Sequence, residues 1–364
     1  MNGAHVSISA GAAELRAEDD PVSFFQRADG ALYGAKEAGK GPARAREHGL
    51  ASGKLGRVDD RPALLLSIDF EDWHQLVHRR LGLPDWDRRS DAFERQASVA
   101  LDLLDELGVK ATFFLLGITA ERYPDIVEEV AARGHEPASH GHAHARVYDQ
   151  TAAEFRADLA RSTKTIERLA GRRPIAYRAP AFSINRTTPW AYEALADAGF
   201  RCDSSQYDSP RVRQRIEGVP PHPYRLLLGR DRDLWELPVA VARLAGRPVP
   251  VGGGSYWRVL PMPVLVRGLA AVSGRSAYPV LYLHPYELDP EPLRAALPPS
   301  PSGRQRFTAT TRSLWRNAGR ALVTKRLREL SGRYRLLSYE EAYDDIAERY
   351  GESPRALSPE GVLV

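Results

Sequence analysis

The sequence predicts an α/β fold built from repeated strand–helix units, and three observations carry that prediction. Short apolar runs with no helical period, PALLLSIDF and KATFFLLG among them, read as strands buried on both faces. Amphipathic stretches with clear starts and stops lie between them. Side chains suited to catalysis follow the strand candidates, where a sheet of this class collects its chemistry. Periodicity alone does not choose between an open sheet and a closed barrel.

The elements follow in order. PALLLSIDF is the first strand. A helix is predicted from about Asp91 to Leu107, with Val99, Leu103, Leu104 and Leu107 along one side and Gly108 as its stop. KATFFLLG is the second strand and HEPAS the third. TAAEFRADLARSTKTIERLAG reads as a helix in which Thr151 and Glu154 form a capping box and Gly171 ends the run. PIAYRAP, FRCDSS, LWELPV and PVLYLHP supply further short strands.

Composition narrows the class. The 364 residues are 43% hydrophobic and 27% charged, which fits a globular chain and excludes a disordered one. Lys and Arg number 51 against 47 Asp and Glu, for a net charge of +4. No basic block with interleaved aromatics is present, so nucleic acid is not an expected partner. No run of eighteen apolar residues occurs, so no membrane span is expected. The lone cysteine, Cys202, excludes an internal disulfide and, with no leader visible, leads to a cytoplasmic expectation.

Five strand ends deliver candidate functional groups. The first carries Asp69, Glu71 and Asp72; the third runs into His140 and His144 in SHGHAHARVYD. A later one ends at Arg178-Ala179-Pro180, another at Asp203, and the last at His284. His140 and His144 taken alone could be a solvated polar run. Beside a carboxylate, two imidazoles with open positions left over make a hydrolytic or oxygenase metal site. A divalent ion there activates water and polarises a carbonyl, while a neighbouring carboxylate takes the proton. His142 fits neither ligand position and His135 reads as structural. His74 is expected to add a polar contact at the mouth.

SIDFEDW, SHGHAH, YRAPAFSI, FRCDSS and VLYLHPYEL, in that order, resemble the motifs of polysaccharide deacetylases, carbohydrate esterase family 4 with the NodB homology domain. FEDWH, HGHAHARVYDQT and HPYELDP resemble the branch found beside exosortase and exopolysaccharide loci. That resemblance implies a distorted (β/α) barrel and metal-dependent removal of acetyl groups from N-acetylated hexosamines in a polysaccharide or a lipid-linked precursor. It implies Asp69 as base, Arg178 as its orienting cation, His284 as general acid and Asp203 as the residue that tunes His284. His140, His144 and Asp72 are the implied ligands of a zinc ion, with cobalt or nickel also suited. Glu71 is the rival to Asp72 as ligand, because on a regular strand it shares a face with Asp69, and it is the base if Glu71 and Asp72 form the working pair. Trp235, Leu281 and Pro180 are expected to shape the substrate pocket.

The implied catalytic domain spans 62–290, with a C-terminal extension over 291–364. Residues 1–45 contain RADGALYGAKEAG, which is similar to the end of a GGDEF domain. The signature loop of that family is missing from the segment, so no cyclase activity is expected. Residues 46–61 read as a linker. Two other functions stay open at this point: a related hydrolase of cyclic imides or allantoin-like molecules, and a non-catalytic glycan-binding or regulatory protein.

Overall fold

Strand β1 (Ala63–Phe70) is buried at all of its positions, and its neighbours explain why its sequence is apolar apart from Ser67 and Asp69. In this computed structural model it pairs with one strand from late in the chain along one edge, and on the other edge with β2 (Thr112–Leu115) and, at its first residues, with a second late strand. The structure describes residues 59–363, apart from 85, 209–211, 213, 230, 231, 245, 275, 277, 359 and 360. The GGDEF-like segment and all but the last three positions of the expected linker lie outside the described residues.

The remaining strands are β3 (Glu136–Ser139), β4 (Ala176–Tyr177), β5 (Cys202–Asp203), β6 (Tyr224–Leu228), β7 (Arg232–Glu236), β8 (Val241–Leu244), β9 (Arg247–Pro250), β10 (Val280–Leu283), β11 (Arg335–Leu337) and β12 (Arg355–Ala356). Their order in the main sheet is β10-β1-β2-β3-β4-β5-β7-β6-β12, with β11 also on β1. Every pairing in it is parallel except β6 with β7. Strands β8 and β9 form a separate hairpin. Beyond β7 the chain returns to β10 through a parallel bridge between Val239 and Val280, and the Ala240 N–H donates to the Val280 carbonyl. The sheet therefore curls round to meet itself through a bridge rather than a full strand pair, which is the distortion in the barrel.

The connecting helices are α1 (Trp73–Leu81), α2 (Asp91–Leu107), α3 (Gly117–Arg122), α4 (Pro124–Ala132), α5 (Ala152–Ala170), α6 (Trp190–Asp197), α7 (Ser255–Val259), α8 (Met262–Ser273), α9 (Pro285–Leu288), α10 (Gly303–Asn317), α11 (Ala321–Ser331) and α12 (Tyr339–Tyr350). The predicted stops are where the backbone turns left-handed: Gly108 ends α2 at φ 64° and Gly171 ends α5 at φ 70°. The Thr151–Glu154 capping box at the head of α5 is present.

Alternation along β1 splits the core in two. Leu64, Leu66, Ile68 and Phe70 pack outward against Phe93, Ala97, Leu101 and Leu104 of α2. Leu65 points the other way and joins Phe114, Ala138, Ala176, Trp235, Val280 and Tyr282 inside the curled sheet. Burying each large aliphatic or aromatic side chain of the outer layer contributes about 1.5–3 kcal/mol, which fixes the register of β1 against α2. Asp69 inherits the inward parity of Leu65. That parity aims it at the site.

Candidate active site

Asp69 is the last inward residue of β1, and the chain leaves the strand in a tight turn in which the Glu71 N–H donates to the Asp69 carbonyl at 3.0 Å. Glu71 thus follows Asp69 to the same side, at the carboxyl end of the strands. Asp72 goes elsewhere. Its side chain caps α1, accepting from the His74 N–H at 2.9 Å and the Gln75 N–H at 3.3 Å, while its other oxygen accepts from the Tyr123 hydroxyl at 3.2 Å. The expectation that Asp72 joins the imidazole pair is therefore corrected: one of its oxygens caps a helix, the other holds the Tyr123 hydroxyl, and Glu71 stands in its place.

The imidazoles arrive from the loop after β3. Gly141 there adopts φ 77° and His144 adopts φ 55°, and Asp158 of α5 holds the turn by accepting from the His142 and Ala143 N–H groups. His140 Nδ1 lies 2.8 Å from the Arg178 carbonyl. A carbonyl can only accept, so Nδ1 carries the proton and Nε2 is left with its lone pair facing Glu71, 4.0 Å away. Burial pushes the His140 imidazole down to about 4, so at neutral pH it is uncharged. His144 Nε2 lies 2.8 Å from Glu71 Oε2. One ligand atom from each of Glu71, His140 and His144 falls within 4.8 Å of the others.

These donors fit a divalent ion on their own chemistry. Glu71 Oε2 is buried with the His144 imidazole beside it, so its negative charge is compensated either by a proton on that imidazole or by a cation held between them. The tautomer of His140 is locked in the form a metal needs, through a backbone carbonyl on its far nitrogen.

Beside this trio, Asp69 Oδ1 is 2.6 Å from Arg178 Nη1. Arg178 is fully buried, and its other hydrogen bonds go to Ser67 Oγ, to the Ser204 carbonyl and hydroxyl, and to the Tyr339 hydroxyl, with its guanidinium 4.2 Å over the Phe114 ring. A cation gripped on so many sides holds Asp69 in one orientation.

His284 approaches from the end of β10. Its Nε2 is 3.2 Å from Glu71 Oε1, its Nδ1 is 3.0 Å from Glu287 Oε2, and its ring stacks on Tyr286. Burial opposes a charge on this imidazole, but the hydrogen bonds to Glu287 and Glu71 outweigh it and push His284 up to about 10. Asp69, Glu71, His140, His144 and His284 all line one cavity of about 640 Å³, which Trp73, Phe182 and Tyr282 wall and several arginines rim.

Other expectations are corrected by the geometry. Asp203 is fully buried, accepts from Ser205 Oγ at 2.6 Å, and shares a hydrogen bond with Glu236 rather than His284. Burial raises both carboxyls, Asp203 to about 6. Glu287 occupies the position beside His284 that Asp203 was expected to hold. Its signal was present in HPYEL, where a glutamate three residues after His284 caps the short α9. Leu281 faces the outer core, and its neighbour Tyr282 has the inward parity instead. Trp235 packs inside the sheet without reaching the cavity, and the buried Pro180 starts a turn whose next residues, Ala181 and Phe182, are the ones that line it. His74 is buried against Trp73 and does not reach the mouth. His142 packs against Gly117, and His135 is buried at the start of β3.

Residues 90–202 match the family model for polysaccharide deacetylase, and residues 204–343 match a domain of unknown function (DUF3473). A peptidoglycan-N-acetylglucosamine deacetylase of Bacillus cereus is 37% identical over 94 residues, covering 26% of this chain and 34% of that protein. A chitin deacetylase of Pestalotiopsis is 31% identical over 115 residues, or 31% of this chain and 38% of that protein. The match therefore spans little more than a third of either relative's length. A solved Mycobacterium smegmatis structure, assigned as a polysaccharide deacetylase, superposes with a TM-score of 0.55 at 22% identity, covering 85% of this chain and 99% of that one. That likeness speaks for the fold. No helix among the described residues is long and apolar enough to cross a membrane. On these matches residues 90–202 carry a region similar to the polysaccharide deacetylases, and the fold is one that the solved Mycobacterium smegmatis protein shares.

Proposed function

We propose that this chain is a metal-dependent N-deacetylase that acts on amino sugars of an exopolysaccharide or its lipid-linked precursor. The observation that carries the reading is the meeting of Glu71, His140 and His144 with the Asp69–Arg178 pair and His284 in one cavity. Glu71, His140 and His144 would hold the ion, with zinc the best suited to one carboxylate and two imidazoles. Bound there, it supplies Lewis-acid polarisation and a more acidic water.

The protein's own groups account for the proton movements. Asp69 takes a proton from the attacking water as its oxygen bonds to the acetamide carbon, and Arg178 keeps the accepting oxygen aimed. His284, charged through its carboxylate partners, gives a proton to the sugar nitrogen as the C–N bond breaks. Acetate and a free amine result. The walls of Trp73, Phe182 and Tyr282 exclude bulk water from the acyl group. A free buried thiol at Cys202 is consistent with a cytoplasmic site of action.

Zinc content and acetate release from N-acetylated oligosaccharides, measured on the wild type, Glu71→Ala and Asp72→Ala, test this reading. Loss of both in Glu71→Ala, with metal retained in Asp72→Ala, is the expected result. Undiminished metal and acetate release in Glu71→Ala, or ring opening of allantoin without acetate release by the wild type, would overturn it.

A further inference from the structure

The rim of the cavity is cationic to a degree that the hydrolysis does not require. Arg79 and Arg80 come from the last turn of α1, and Arg312 and Arg316 from α10. The two helices lie side by side, tied by Gln305 Nε2 donating to the Leu81 carbonyl at 2.9 Å. Neither helix contains an acidic residue. Against four guanidinium groups the cavity lining sets two carboxylates, and of these Asp69 is paired with Arg178 from below.

Two of the four arginines have structural work. Arg316 donates to the Tyr286 hydroxyl at 2.6 Å, and Arg79 donates to the Ala143 carbonyl and lies over Trp86. Arg80 and Arg312 make no hydrogen bond or ion pair among the described residues. Arg312 and Arg316 also line a second hollow of about 420 Å³ along α10, with Phe307 and Trp315. Phe307 is 71% exposed and Trp315 37% exposed. The two hollows share a wall, so a chain bound at the catalytic cavity continues over α10 past cations and aromatic rings.

We propose that this groove is a binding subsite for an anionic sugar unit next to the N-acetylated one, with Arg80 and Arg312 as its anion readers. A guanidinium fork matches a carboxylate or phosphate with two parallel hydrogen bonds, and Trp315 offers a flat face for the apolar side of a pyranose ring. The anion is a uronate carboxylate within the polymer or a phosphate at its lipid-linked end. The inference rests on the deacetylase reading for the identity of the acetylated sugar, but its test does not require turnover.

Calorimetric titration of the wild-type protein with two tetrasaccharides decides it. Chitotetraose and a hyaluronan tetrasaccharide both carry N-acetylglucosamine and differ in carboxylate content, and inorganic pyrophosphate is the phosphate arm. At low salt one anionic probe should bind about tenfold or more tightly than chitotetraose, with the gap closing as salt rises past a few tenths molar. The hyaluronan fragment winning identifies a uronate reader, and pyrophosphate winning identifies a phosphate reader. Arg312→Gln and, separately, Arg80→Gln should each shrink the preference. Equal affinities at low salt overturn the proposal, as does a preference that survives both substitutions. Binding of the protein to phosphatidylglycerol vesicles through Phe307, without any preference between the tetrasaccharides, also overturns it. Absence of acetate release counts against the catalytic reading alone, because binding is read independently.

Discussion

Glu287 decides what His284 can do. A buried imidazole left to itself would be neutral near pH 7, and a neutral imidazole is a poor proton donor to an amine. The Glu287 carboxylate on Nδ1 reverses the balance. Glu287→Gln keeps the hydrogen bond and removes the charge, so the His284 pKa falls. The alkaline limb of kcat/KM then moves to lower pH, by about 1 unit or more, while the acid limb set by the base stays in place. A pH profile of acetate release checks this, and an unmoved alkaline limb would show that His284 is not the donor. Asp72 belongs to the same scale with a different result. Replacing it with alanine removes a helix cap and strands the Tyr123 hydroxyl, at a cost of about 1–2 kcal/mol in denaturant unfolding, without taking metal from the site.

The division between Glu71 and Asp72 was the least legible part of the sequence. Both are carboxylates just past an apolar strand, and the sequence offers two jobs there, a ligand and a cap. Strand parity pointed to Glu71, and motif habit pointed to Asp72. Parity is what the fold obeys, because β1 is held in register by burial on both faces. The same parity separates Leu281 from Tyr282 on β10. Asp69, Arg178, His140, His144 and His284 were legible because each lies at or just after the carboxyl end of a strand, and strand ends on one side of a parallel sheet must converge. Glu287 and the arginines of α10 were harder to see, since they act through contacts between segments far apart in the chain.

At the scale of elements, the segment Val251–Gly254 shows how close backbone approach shapes the pocket wall. The Tyr282 N–H donates to the Gly252 carbonyl at 2.7 Å, and Gly253 adopts φ 142° against β10. A Cβ at Gly253 would lie 1.9 Å from the Tyr282 carbonyl oxygen, and a backbone atom cannot swing aside. Gly253→Ala should therefore push the segment off β10, lower the unfolding midpoint markedly and displace the Tyr282 ring from the cavity. Circular dichroism on heating gives the first readout and tyrosine-sensitive substrate affinity the second. Gly246, where an added Cβ meets nothing within 4 Å, has a φ of 77° and serves as the comparison for backbone strain alone. The larger loss at Gly253 measures the close approach.

Over the whole molecule, buried carboxyls set the response to pH. Burial pushes Glu136 up to about 7, against hydrogen bonds from Thr112 Oγ1 and the Glu340 N–H. Its folded pKa lies above its unfolded one, so between about pH 4.5 and 7 the native state binds more protons than the unfolded state. Stability attributable to this group therefore falls as pH rises through that window and stays low above it. Glu136→Gln can accept the same two hydrogen bonds and cannot ionise. The variant should gain on the wild type as pH rises from 5 to 8, seen as a growing difference in Tm. A difference that stays constant with pH would remove Glu136 from the account. Asp203 and Glu236 add to the trend, since burial raises both.

Strand β11 places Arg335–Leu337 on β1, and the Tyr339 hydroxyl that follows it is bonded to both Arg178 and Ser204. The groove that aims Asp69 is thus completed by a segment translated some 270 residues after the base itself. During synthesis, a nascent polypeptide could already possess every histidine and carboxylate of the centre and still lack the tyrosine that steadies its arginine. Competence would arrive only once Tyr339 is in place, and premature stop codons upstream of Tyr339 should yield inert fragments rather than weakened enzymes.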